Sequence, residues 1–135
     1  MEKLTCLLSF LALVLAASFA LSCGANQGQS QLRSIAISPA TADAQNYPDG
    51  QVPFVASGVY IDPSRTVTPQ PIAAWAACQQ DAPTTDVSIT TKGVAQCASG
   101  ATGTYLITAS APGTCTCLAP CPSTDAVGTA QLTCP

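Results

Sequence analysis

Thr104-Tyr105-Leu106-Ile107-Thr108-Ala109-Ser110 alternates without a break. Tyr105, Ile107 and Ala109 fall in phase, and a period of two residues is that of a strand with one buried face. Its β-branched and aromatic residues suit a pleated, half-buried surface. Punctuation bounds it on both sides, Ser99-Gly100-Ala101-Thr102-Gly103 before and Ala111-Pro112-Gly113 after.

The same pattern recurs outward from this run. Toward the C-terminus, Thr114 to Asp125 holds three Cys and two Pro and reads as a cross-linked loop; Val127 to Cys134 then brings Ala130, Leu132 and Cys134 into phase. Toward the N-terminus lie Val94 to Cys97, then Val87 and Ile89, with Lys92-Gly93 breaking between them. Gln79 to Thr85, with Pro83, is a polar loop. Ile72 to Cys78 carries the sole Trp, with Ala73, Trp75 and Ala77 on one face. Thr66 to Gln70 is extended but marked by Pro, which suits a sheet edge. Phe54, Ala56, Gly58 and Tyr60 share a face, opposite Val55, Ser57 and Val59, and the run is bounded by the turns Tyr47-Pro48-Asp49-Gly50 and Asp62-Pro63-Ser64-Arg65. Leu32 to Ser38 points Ile35 and Ile37 one way until Pro39 ends it. No helical period appears after Ser22. Short strands separated by turn residues predict an all-β sandwich of about seven strands, with Ile35, Ile37, Phe54, Trp75, Tyr105, Ile107 and Leu132 in its core.

The chain has 135 residues, enough for one such domain. Only 8% are charged and none is His. After Ser22 the cations are Arg33, Arg65 and Lys92, too few and too scattered to neutralise nucleic-acid phosphates. The anions are Asp43, Asp49, Asp62, Asp81, Asp86 and Asp125, spread out as solvated loop residues rather than gathered as a Ca²⁺ site. Without His or, after Ser22, Glu, acid–base catalysis has no partnered groups, and no phosphate-binding glycine loop is present. A non-catalytic protein without cofactor or metal is expected.

At the N-terminus, Lys3 precedes an apolar run from Leu4 to Leu21 that ends in small residues, the layout of an export signal. A membrane-spanning helix is the competing reading, but no basic flank follows Cys23. Ala20-Leu21-Ser22-Cys23 resembles the lipobox of bacterial lipoproteins, with Ala20 where Leu is usual and Leu21 in a small-residue slot. Ala20 and Ser22 equally suit ordinary signal peptidase. Cysteine parity bears on the choice. Cys6 leaves with the signal, and Cys78, Cys97, Cys115, Cys117, Cys121 and Cys134 form an even set, so an acylated Cys23 leaves no odd thiol in an oxidising compartment. The expected organisation is a signal peptide over residues 1–22, a lipid-anchor Cys with a polar tether over 23–31, and a domain over 32–135. Gly24 is compatible with sorting to an outer membrane, where the cell has one.

For the six cysteines, disulfides outweigh zinc, since His is absent and the Cys115-Thr116-Cys117 spacing is not that of a zinc site. Six cysteines permit many connectivities. One pairing to be tested joins Cys78 to Cys97 and ties the 115–121 loop to Cys134.

Several stretches together resemble, in order, bacterial Ig-like group 2 domains of surface adhesins. They are Leu32-Arg33-Ser34-Ile35-Ala36-Ile37-Ser38-Pro39-Ala40-Thr41-Ala42, Val52-Pro53-Phe54-Val55-Ala56-Ser57-Gly58-Val59-Tyr60, Ala73-Ala74-Trp75, Gly93-Val94-Ala95, Gly103-Thr104-Tyr105-Leu106-Ile107-Thr108-Ala109 and Gly128-Thr129-Ala130-Gln131-Leu132-Thr133. The resemblance implies an Ig-like sandwich with Trp75 in its core, and a structural or adhesion-like role at a bacterial surface, with a protein or carbohydrate as partner. A soluble secreted binding module and a small subunit of an envelope complex are the alternatives.

Overall fold

The computed structural model describes residues 31–61, 64–117 and 120–135. The expected signal, Cys23 and the tether up to residue 30 lie outside the described residues, as do Asp62 and Pro63. The strands are β1 (Leu32–Ser38), β2 (Thr41–Asp43), β3 (Gln51–Pro53), β4 (Val55–Tyr60), β5 (Arg65–Val67), β6 (Ala74–Gln79), β7 (Ala82–Pro83), β8 (Val87–Ile89), β9 (Val94–Cys97), β10 (Gly103–Ala111) and β11 (Ala126–Cys134). Two single 3₁₀ turns, Ala44–Asn46 and Pro48–Gly50, join β2 to β3.

The protein is an all-β sandwich cross-linked by disulfides. One layer is the sheet β2-β11-β10-β6-β7; the other consists of two smaller sheets, β1-β4-β5 and β3-β9-β8. There are more strands than the seven expected because single alternating runs are divided between sheets. Phe54 separates β3 from β4, and its N–H donates to the Gly93 carbonyl at 2.9 Å. The chain leaves one small sheet and enters the other at that residue. Likewise β1 ends at Pro39, and β2 crosses to the opposite layer to run parallel to β11, where Gln131 N–H donates to Ala40 O at 2.9 Å.

The inward faces meet in one continuous core. Ile35, Ile37, Phe54 and Ala56 enter from one layer, and Tyr105, Ile107, Ala109, Ala130 and Leu132 from the other. Removing one large side chain such as Ile107, Leu132 or Phe54 from water contributes about 1.5–3 kcal/mol. β10 departs from simple alternation: Thr108 and Ser110, on its outer face, are also fully buried. The loop after β10 folds back there, Ser110 Oγ donating to Gly113 O at 3.1 Å, while Thr108 Oγ1 donates to Cys78 Sγ at 3.8 Å. Trp75 is a correction to the expected core. It is half-buried at the start of β6, where it packs on the edge of the cluster and against the Gly93 turn. Two positive-φ residues, Gln80 and Asp81, make the tight β6–β7 hairpin inside what reads in sequence as a featureless loop.

Candidate functional site

The six cysteines form three bridges, Cys78–Cys117, Cys97–Cys134 and Cys115–Cys121. This overturns the pairing of Cys78 with Cys97 and of the 115–121 loop with Cys134. Cys78 ends β6 on the outer face of the large sheet, so its neighbour is the loop that covers that face. Cys97, at the end of β9, lies in the opposite layer beside the end of β11. Cys97–Cys134 therefore closes one end of the sandwich between layers, while Cys78–Cys117 fastens the loop across β10. Cys117 takes a positive φ of 54°, which turns it inward, and it is buried.

The two ends of the sandwich differ in chemistry. At the end where the described chain begins, an open cleft of about 700 Å³ lies between the layers, lined by Leu32, Tyr60, Gln70, Pro71, Ile72 and Pro112 among others, none of them charged. Gln70 organises it. Only 8% exposed, it accepts from Tyr60 OH at 2.9 Å through Oε1 and donates from Nε2 to Pro71 O at 3.2 Å. Its amide occupies the space that a side chain at position 58 would take, so Gly58 is the seat for Gln70. The Arg65 guanidinium stands 4.8 Å from the centroid of the Tyr60 ring, a cation–π contact. Beside the cleft, Ile61 N–H donates to Gln31 O at 2.9 Å, and the Ile61 side chain is 56% exposed.

The opposite end carries four of the five described aspartates. Asp43 pairs in register with Thr133, and the Asp49 carbonyl accepts from Gln96 Nε2 at 3.3 Å. Asp81 lies in the β6–β7 hairpin, and the Asp86 carboxylate accepts from Tyr105 OH at 3.1 Å. Burial, and after it the hydrogen bond and charge of Asp86, push the Tyr105 hydroxyl above its ordinary value, with a smaller opposing effect from the Thr102 backbone. A second open cleft of about 370 Å³ lies here, lined by Tyr47, Asp49, Gly50, Ala98 and Pro135 among others. Among the described residues no three metal-ligating side chains come together.

Of the residues singled out by sequence, Ile35, Ile37, Phe54, Tyr105, Ile107 and Leu132 share the core and the six cysteines bridge, whereas Cys23 is outside the described residues. Gln70 and Ile61 gave no signal in sequence. A glutamine in a Pro-marked segment reads as exposed, and an Ile beside a turn reads as the end of a strand.

No protein-family model matches the chain, and no curated protein matches it in sequence.

Proposed function

We propose that this chain is a bacterial lipoprotein, acylated at Cys23, that displays an Ig-like sandwich of the group 2 kind at the cell surface as a non-catalytic structural or interaction module. The observation that carries this reading is the cysteine balance: three bridges take up every cysteine from Cys78 onward, leaving Cys23 without a disulfide partner among them. An exported thiol in that position is suited to a lipid. The sandwich supports the second half of the reading. Among the described residues, the clefts at its two ends hold no paired acid and base, while its cross-linked loops give a rigid body for display.

Metabolic labelling with a clickable palmitate tests the anchor. Wild type is expected to take up label and Cys23→Ala to take up none. Equal labelling of the two, or none in wild type, overturns the lipoprotein reading. An intact mass corresponding to a lipid-free chain cut near Ser22 would instead support a secreted soluble module.

A further inference from the structure

We propose that the end of the sandwich bearing Leu32, Tyr60, Ile61 and Arg65 rests on the lipid surface of the membrane that carries the anchor, and that the acidic end faces outward. The inference depends on the acylation of Cys23 proposed above.

The position of the chain's entry carries most of the argument. Residues 24–30 separate Cys23 from Gln31, and the eight steps between those two Cα atoms reach at most about 28 Å. Gln31 sits beside the uncharged cleft and is hydrogen-bonded to Ile61. A nine-residue strand such as β11 extends about 30 Å, so the acidic end stands a strand's length farther from the anchor point. Contact between the near end and lipid is then intramolecular, at an effective concentration on the order of millimolar. A small apolar patch is sufficient under those conditions.

The chemistry of that end fits a bilayer interface. Ile61 is the more exposed of the two exposed large hydrophobics among the described residues, and Leu32 and Ile72 are partly buried beside the cleft. The Tyr60 ring with its polar tip, and Arg65 lying on it, are the amphipathic side chains that partition to headgroup depth. Charge discriminates between the ends. Arg33 and Arg65 stand at the near end together with Asp125. Asp43, Asp49, Asp81 and Asp86 stand at the other end, with no cation beside them among the described residues, and Lys92 lies in the β8–β9 turn. An anionic leaflet repels the acidic end and leaves the near end free to approach.

The test uses the full lipidated chain in phosphatidylcholine–phosphatidylglycerol vesicles whose acyl chains are brominated. Tryptophan is introduced as Ile61→Trp or, at the acidic end, as Ser99→Trp, and emission is compared with wild type, which carries Trp75 alone. Quenching several-fold stronger for Ile61→Trp than for Ser99→Trp is expected. Amide exchange over residues 58–67 of the wild type, expected to slow on vesicles, gives the same answer without a substitution. A chain that floats with vesicles and takes up palmitate, yet shows equal or no quenching and unchanged exchange, overturns the docking and leaves the anchor standing. A chain that takes up no palmitate overturns both. Protection that arises only when other envelope proteins are added overturns the lipid contact in favour of a protein partner.

Discussion

Gly128 of β11 lies against Ile35 of β1 so closely that a Cβ on Gly128 would stand 2.8 Å from the Ile35 backbone oxygen and 2.7 Å from its side chain. Backbone meets side chain here without an intervening residue, and this contact sets the local separation of the two layers. Gly128→Ala must therefore push β1 away or distort β11. Overpacking of this kind costs about 1–3 kcal/mol. For a domain of this size each kcal/mol lowers the melting temperature by roughly 4–8 °C. Calorimetry of the oxidised protein checks it; an unchanged melting temperature would mean that the layers separate freely at this point.

The three bridges predict unequal losses. Cys78–Cys117 and Cys97–Cys134 close long stretches, with sequence separations of 39 and 37, whereas Cys115–Cys121 closes a separation of 6. Chain-entropy arguments give about 4 kcal/mol for loops near the longer length and about 2 kcal/mol for the short one. Paired Cys→Ala substitutions at 78/117 or 97/134 should therefore lower the denaturation midpoint more than the pair at 115/121. Mass spectrometry of a non-reduced digest should recover peptides joining Cys78 to Cys117 and Cys97 to Cys134. Recovery of a Cys78–Cys97 peptide would contradict the connectivity.

β1, β4 and β11 were legible in the sequence because each buries one face and alternates accordingly, and β10 because its inner face alternates even though the following loop also covers Thr108 and Ser110 on the outer face. β2 was not: three residues that pair in parallel with β11 have no room to show a period. The division at Phe54 was hidden for a different reason. The side-chain alternation runs straight through it while the hydrogen-bonding partner changes from β9 to β1. Parity showed that the cysteines would pair but not how, because connectivity depends on which layer and which face each sulfur occupies. The character of the two ends was equally out of reach, since Ile61, Gln70 and the four aspartates are gathered by topology from distant parts of the chain.

Trp75 and Phe54 give opposite expectations from those their sizes suggest. Phe54 is 1% exposed at the junction of the two small sheets, and Trp75 is half-buried at the margin. Phe54→Ala leaves a cavity that its neighbours cannot close and should cost about 3–5 kcal/mol. Trp75→Ala should cost less, because its ring is already partly in water. Gly93 is the counterpart of Trp75: its φ is +80° and a Cβ there would meet the indole at 3.0 Å. Urea denaturation followed by circular dichroism ranks the two substitutions, and a greater loss for Trp75→Ala would place the indole in the core rather than at its margin.

Tyr105 makes stability fall with alkali. The residue is 2% exposed, and its hydroxyl donates to Asp86 and Thr102 and holds its proton above the ordinary tyrosine value of 10.0. Between the unfolded value and the raised folded one, the native state binds more protons than the unfolded chain, so unfolding free energy decreases as pH rises. The contribution is present in full below pH 10.0 and is lost as pH climbs through the folded value. Tyr105→Phe has no proton to lose at this position. It should be less stable than wild type at neutral pH, through loss of the bond to Asp86, but should show a shallower decline above pH 10.0. Midpoints of urea denaturation at pH 7 and at successive values above 10, measured before disulfide exchange sets in, test both halves; parallel declines in the two proteins would show that Tyr105 does not govern the alkaline limb.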